Sequence, residues 1–374
     1  MRNKHRSNRL SRRTVLTGAG VLSLTGLAGC LDGVDVLDRS SGRGTSGGDG
    51  DQDVSRDPPP TVDRNLPEDY RNDELTDAVL SGGPGEDGIP SIDEPVFVEA
   101  DAQPSILDDD DPVFGVELNG ESKAYPQYIL VWHEIVNDVF GDESVAVTYC
   151  PLTGTAQGFY RGDAELGVSG RLINSNLVMF DRGTGSWYPQ ILARAIRGPP
   201  AGAYLEEFQV IWTTWGRWRD AHPETLLLTD DTGFVRNYGD DPYGEYNPPS
   251  GYYENDDTLF PPLTTDDRFH PKAVVIGART ADGAMAVPKE ALRDRRVVEG
   301  TMDDVPYVTV YDETLDTGFV YRNADEISVE HTDGRYEVDG EQYDPEALPL
   351  ERVLGFDAMW FAWYGYYPST AVLE

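Results

Sequence analysis

The sequence predicts an α+β, β-rich fold made of two related lobes from a degenerate internal repeat. Short β-branched and aromatic runs are punctuated by turn signals such as Arg161-Gly-Asp, Arg182-Gly-Thr-Gly and Thr332-Asp-Gly. Phe114 to Leu118 followed by Ala124-Tyr-Pro126 resembles Val274 to Ala278 followed by Ala286-Val-Pro288, and Val147 to Cys150 resembles Val308 to Tyr311. Phe159-Tyr-Arg161 pairs in the same way with Val320-Tyr-Arg322. The lobe ends also agree, with Trp212-Thr-Thr-Trp215 and Pro223-Glu-Thr225 matched by Trp360-Phe-Ala-Trp363 and Pro368-Ser-Thr370.

Residues 1–29 read as a twin-arginine signal peptide, with Arg12-Arg13 ahead of a weakly apolar segment. Val15 to Gly29 is too short and too rich in Gly and Thr for a membrane span, which needs roughly 20 apolar residues. Leu27-Ala-Gly-Cys30 resembles a lipoprotein cleavage box, which makes Cys30 the expected lipidation site. Residues 30–60 form an expected disordered tether of Gly, Ser, Asp and Arg ending in Pro58-Pro-Pro60. Residues 61–112 are an N-terminal extension with one helix between Leu66 and Leu80. The first β-rich lobe follows at 113–228, an acidic Gly/Pro/Tyr-rich connection at 229–268, and the second, degenerate lobe at 269–374. The connection is long enough to be either functional or mobile. An exported protein on the outer face of the cell membrane is implied, touching the membrane through its lipid anchor only.

The formal charge is −37, and the six basic residues of the first 29 face no acids, so the remainder carries −43. Such a surface makes nucleic acid and anionic head groups poor partners. Four lysines stand against 67 acidic residues, a balance suited to concentrated salt and a halophilic source. Cys30 and Cys150 are the two cysteines. With Cys30 lipidated, Cys150 has no intramolecular partner and a disulfide framework is excluded.

Cys150 draws attention through its surroundings. Gln127 to Phe140, entered at Pro126 and stopped at Gly141, is expected to be one helix with Ile129, Trp132, Val136, Val139 and Phe140 on its apolar face. His133 then falls at the edge of that face, with Glu134 and Asp138 on the wet side. Val145 to Cys150 follows as a strand that presents Ala146, Thr148 and Cys150 together and ends in the turn Pro151-Leu-Thr-Gly154. Cys150 and His133 are therefore the candidate catalytic residues, with His133 lowering the thiol pKa to give a nucleophile or a soft metal ligand. A buried thiol beside a hydrogen-bonded core histidine is the other reading, since one His and one Cys fall short of the usual four metal ligands. Asn174 and Asn176, with Thr153 in the turn, are the candidate ligand-binding residues, their amides serving either a ligand or the backbone. Trp215, Trp218, Arg219 and His222 share one side of a helix capped at Thr213 or Thr214, read as core packing or, with Trp212, as a saccharide or cation platform.

Several signatures fail. Gly83, Gly85 and Gly88 match a dinucleotide fingerprint, yet the loop carries a proline and two acids and runs into Ile89-Pro90. Gly167-Val-Ser169-Gly170 lacks the second glycine of a nucleophile elbow. Asp240-Asp241 and Asp256-Asp257 lack EF-hand spacing and read as solvation. No cofactor is indicated.

Asp87-Gly-Ile-Pro90, Ala124-Tyr-Pro126, Trp132-His-Glu-Ile-Val-Asn-Asp138, Val147-Thr-Tyr-Cys-Pro-Leu152, Asn174-Ser-Asn-Leu-Val-Met179 and Thr214-Trp215 through His222-Pro223 together resemble the domain-of-unknown-function family numbered 3179. The resemblance covers the chain after the tether and implies an exported protein, often with this two-lobe layout and without an established activity. It also implies a second cysteine in a Cys-Pro-Leu-Cys-Gly-Thr turn, at the place where Thr153 stands. A dithiol cycle within this chain is thereby excluded.

The expected function is a lipid-anchored surface module that binds a small molecule or metal in one pocket of the first lobe. A thiol enzyme using Cys150 and His133, and a structural envelope component, are the alternatives. At molar salt the screening length falls to about 3 Å, which removes most of the self-repulsion of this acidic surface. Dialysis into dilute buffer should therefore unfold the protein or sharply lower its thermal midpoint; a midpoint indifferent to salt would refute the charge argument.

Overall fold

An Asn119-Gly120 dipeptide with both residues at positive φ (55° and 79°) closes the first hairpin, the turn chemistry that matches strand twist. It joins β1 (Pro112–Leu118) to β2 (Glu121–Pro126) in antiparallel register. Helix α1 (Gln127–His133) follows at once, then a meander of β3 (Ile135–Phe140), β4 (Glu143–Cys150) and β5 (Thr155–Tyr160). The computed structural model describes residues 57–374, which belong to one compact unit. The expected signal peptide, the Cys30 lipidation site and the tether up to residue 56 lie outside the described residues. Within the described residues no helix is long and apolar enough to cross a membrane.

A second hairpin, β6 (Leu166–Ile173) and β7 (Asn176–Asp181), turns through Asn174 and Ser175, again both at positive φ. Then β8 (Ile211–Thr214) pairs antiparallel with β1, α2 (Trp215–Ala221) crosses over, and β9 (Leu226–Leu228) returns parallel to β2. In the later half, β10 (Val274–Thr280) and β11 (Gly283–Pro288) form a hairpin, followed by α3 (Lys289–Arg295). The meander β12 (Val297–Met302), β13 (Val305–Asp312) and β14 (Thr317–Arg322) comes next. Finally β15 (Gly355–Met359) pairs antiparallel with β10, α4 (Trp360–Tyr366) crosses over, and β16 (Ala371–Val372) runs parallel to β11. The result is the expected β-rich α+β architecture.

The long helix expected over 127–140 is seven residues of helix and six of strand. Ile135, Val136 and Val139 are β-branched, and Asn137 and Asp138 compete with helical hydrogen bonds, so the segment pairs with β4 instead. Glu134 and Asp138 consequently lie inside, at 8% and 6% exposure, and not on a wet face. Asp138 accepts from Lys123 Nζ (2.9 Å) and Tyr125 Oη (2.6 Å), and Lys123 also donates to the Val139 carbonyl (2.7 Å).

The expected α2 is present, entered after Thr214 and ended at His222 before Pro223. Trp215 and Trp218 are fully buried, in line with core packing. Trp218 lies so close to β1 that a Cβ on Gly115 would sit 2.2 Å from its ring, and its Nε1 donates to Thr225 Oγ1 at 2.9 Å. Trp363 repeats both contacts, 2.3 Å from a Cβ on Gly277 and 2.9 Å from Thr370 Oγ1. Gly115→Ala and Gly277→Ala should each cost about 1–3 kcal/mol or more through overpacking. Calorimetry would show this as a lowered midpoint, and an unaltered one would mean that the tryptophans can retreat.

Candidate functional site at Glu134 and Cys150

Cys150 ends β4 and enters the turn, as its sequence context predicts, and it is 1% exposed. Its Sγ donates to the Ser175 carbonyl (3.6 Å) and accepts from the Leu177 amide (3.3 Å). Burial, and after it the nearby Glu134, push the thiol pKa up to about 11. A group so placed is a thiol at neutral pH, not a thiolate.

His133 does not meet it. His133 Nδ1 lies 2.7 Å from the Pro90 carbonyl, which can only accept, so Nδ1 carries the proton and Nε2 accepts from Tyr238 Oη at 2.7 Å. Tyr238 Oη is in turn 2.6 Å from Thr232 Oγ1. Both ring nitrogens are thus spent, and burial lowers the imidazole pKa.

The residue beside the thiol is Glu134. A seven-residue helix that hands over directly to an antiparallel strand needs a left-handed residue at its end, and Glu134 takes that conformation (φ 59°). Its amide donates to Leu130 O and its carbonyl accepts from the Tyr149 amide at 2.7 Å, which fixes the side chain between sheets. Among the described residues the carboxyl group has no hydrogen-bond or ion-pair partner, and burial alone raises its pKa to about 8. It lines a cleft of about 360 Å³ together with the apolar Ile89, Leu152, Val168, Leu177, Leu259 and Phe260, with Tyr243 and the cation Arg171. The loop of the rejected dinucleotide fingerprint supplies Gly82 and Pro84 to its rim.

The candidate ligand residues sit deeper and serve one another. Asn176 Nδ2 donates to Thr153 Oγ1 (3.1 Å) and Gln190 Oε1 (2.9 Å), while its Oδ1 accepts from the Ile191 amide. Thr153 and Thr155 hydroxyls are 2.8 Å apart, and Gln190 Nε2 donates to Thr148 Oγ1. Asn174 donates to the Ala362 carbonyl and accepts from the Leu263 amide. These amides close a buried network.

The 229–268 connection is a packed strap. Tyr238 reaches His133, Tyr252 Oη donates to the Leu152 carbonyl (2.7 Å), and Ser175 Oγ bonds Phe260 O. Asp241 belongs to it structurally, since its Oδ2 accepts from Gln127 Nε2 and Tyr253 Oη; the reading of Asp240-Asp241 as solvation fails for its second member. Among the described residues no group of three or more His, Cys, Asp or Glu is placed to hold a metal ion.

The family model described as "Protein of unknown function (DUF3179)" matches residues 86–370. The chain belongs to the DUF3179 family. No curated protein and no solved structure matches it. The matched span of this DUF3179 member contains α1, β4, the β6–β7 turn and the strap, so every part of the Glu134 cleft except the 82–84 rim lies within it.

Sequence reasoning missed Glu134 because a helical wheel turned it outward. The signal was available in Ile135-Val136 and in the Phe140-Gly141-Asp142 turn, which mark a strand rather than a second helical half.

A carboxyl whose pKa is 4.5 when solvated and about 8 in the fold favours the folded state in its protonated form. That contribution is complete below pH 4.5 and is lost as pH rises through about 8. Glu134→Gln, which cannot ionise, should therefore raise the thermal midpoint relative to the parent above this range and match it in acid. A parallel offset at all pH values would show a solvated carboxylate.

Proposed function

We propose that the DUF3179 chain is a binding module whose first-half cleft takes a small, largely apolar molecule bearing an amine or another hydrogen-bond donor. The observation that carries this reading is the Glu134 carboxyl, unpartnered among the described residues, in a cavity lined mostly by apolar side chains with one cation, Arg171. An uncompensated buried carboxyl is costly, and a cationic ligand would relieve that cost by pairing with it. Cavities of about 300–1,000 Å³ with few polar groups suit small ligands. The thiol-enzyme alternative has less support, because Cys150 is protonated and His133 is engaged elsewhere.

Two broader readings accompany it. The halves derive from one duplicated scaffold, supported by the shared Gly–Trp–Thr contacts and by Arg296, which ends α3 at φ 68° and accepts from the Tyr311 amide just as Glu134 ends α1 and accepts from Tyr149. On that equivalence Asp312, one residue beyond Tyr311, holds the place of Cys150. Export and anchoring through Cys30 rest on Arg12-Arg13 and Leu27-Ala-Gly-Cys30.

Thermal-shift titration in concentrated salt with hexylamine, hexanol and hexanoate tests the binding reading. Hexylamine should stabilise most and hexanoate least, by about 2.7 kcal/mol at a hundredfold excess over Kd. The amine preference should grow as pH approaches about 8, where Glu134 ionises, and vanish in Glu134→Gln. A preference unaffected by that substitution would remove Glu134 from the site.

A further inference from the structure

A second cavity, of about 320 Å³, opens where the first half meets the second, and its walls differ in kind from the first. Trp212 and Tyr246 supply aromatic faces, their ring centroids 5.3 Å apart. The same lining holds Lys289 at the start of α3 and Asp357 on β15, joined at 2.5 Å, Arg293 with Asp316, joined by two hydrogen bonds of 2.7 and 2.6 Å, and Asp110. Lys289 and Asp357 are only 5% and 8% exposed.

The contrast with the closed pair in the first half decides what this cavity is for. Lys123 spends its ammonium on both oxygens of Asp138 and on the Val139 carbonyl, and Tyr125 covers the same carboxylate. Lys289 makes one hydrogen bond among the described residues, leaving two of its three donors unspent, and Asp357 Oδ1 accepts none. Thr213, also in the wall, has a buried hydroxyl without a partner. The unspent groups are the two free Lys289 donors and Asp357 Oδ1, in a lining of three acids (Asp110, Asp316, Asp357) and two bases (Lys289, Arg293) that also holds aromatic rings, and such mixed donors and acceptors match a ligand that carries many hydroxyls and no negative charge. Hydroxyls donate to carboxylate and accept from ammonium or guanidinium, while the C–H face of a sugar ring packs on tryptophan.

We propose that this cavity is a binding site for a neutral saccharide, with Trp212 as the platform and Lys289, Asp357 and Arg293 as the hydroxyl partners. The saccharide platform considered for the 212–218 tryptophans thus belongs to Trp212 alone, Trp215 and Trp218 being core. The site is separate from the Glu134 cleft and does not depend on the reading of that cleft.

Saturation-transfer NMR on the full chain in concentrated KCl, with glucose, trehalose and cellobiose as probes and glycine betaine as the competing zwitterionic class, tests the proposal. Ring protons of at least one disaccharide should receive saturation, and affinity should fall about tenfold or more in Trp212→Ala and Asp357→Asn. Arg293→Ala removes an exposed wall residue outside the core, so it reports on the site even where a buried variant fails to fold; it should weaken binding by a smaller factor. Glu134→Gln should leave sugar affinity unchanged. Absence of transfer to every sugar, binding indifferent to Arg293→Ala, loss in Glu134→Gln, or binding of betaine alone would overturn the assignment.

Discussion

A helix of seven residues that must pass straight into an antiparallel strand has room for one reversing residue, and that residue must adopt positive φ. Glu134 and Arg296 fill this place in the two halves, each a residue for which the left-handed region costs roughly 1 kcal/mol. Both carbonyls are held by the amide of a tyrosine on the meander's central strand, Tyr149 or Tyr311, at 2.7 and 2.9 Å. With backbone and neighbour fixed, the side chain has little freedom over where it goes. Arg296 runs outward to an ion pair with Glu313 at 2.6 Å, whereas Glu134 is enclosed beneath the strap. The same local geometry is thus accompanied by a surface charge in one half and a buried carboxyl in the other.

Among the described residues burial of charge is handled in three ways. Lys123 and Asp138 saturate each other and their neighbours, and Lys123 also lies 4.6 and 4.4 Å from the Phe97 and Phe140 ring centroids. Such a pair fixes the hairpin to the meander and has nothing left to offer. Lys289 and Asp357 are paired but incompletely spent. Glu134 has no partner among the described residues, and burial raises its pKa so that it holds its proton. Degree of saturation, rather than charge itself, separates the closed Lys123–Asp138 pair from the groups that line the two proposed sites.

Much of the fold was legible where local chemistry admits one solution. Thr214 ahead of a tryptophan-rich turn with Pro223 after it, and the β-branched run into Cys150, each specify an element that the structure contains. The correspondence between the halves was less legible, because by position in their helices Trp215 answers to Trp360 and Trp218 to Trp363, one turn away from the pairing suggested by spacing. The site was less legible still. His133 and Cys150 are close in sequence to the groups that matter, yet a strand pairing, not a helix face, decides which side chain reaches the thiol, and that pairing is non-local. The packing of the strap could not be foreseen, since Asp and Glu make up ten of its 40 residues and its contacts are made by scattered tyrosines.

The turn after Cys150 shows how a single residue can commit a site to one chemistry. Thr153 stands where family resemblance implies a second cysteine, and its hydroxyl accepts from Asn176 and pairs with Thr155 while its carbonyl accepts from the Met359 amide of the second half. A hydroxyl can donate and accept with near-normal strength, which a thiol does poorly, so threonine completes a network that sulfur would leave weak. The turn is therefore stiffened by the same exchange that removes a resolving thiol. Among the described residues Cys150 has no sulfur partner, His133 is bonded elsewhere, and the thiol, held protonated, spends its hydrogen-bonding capacity on the Ser175 carbonyl and the Leu177 amide.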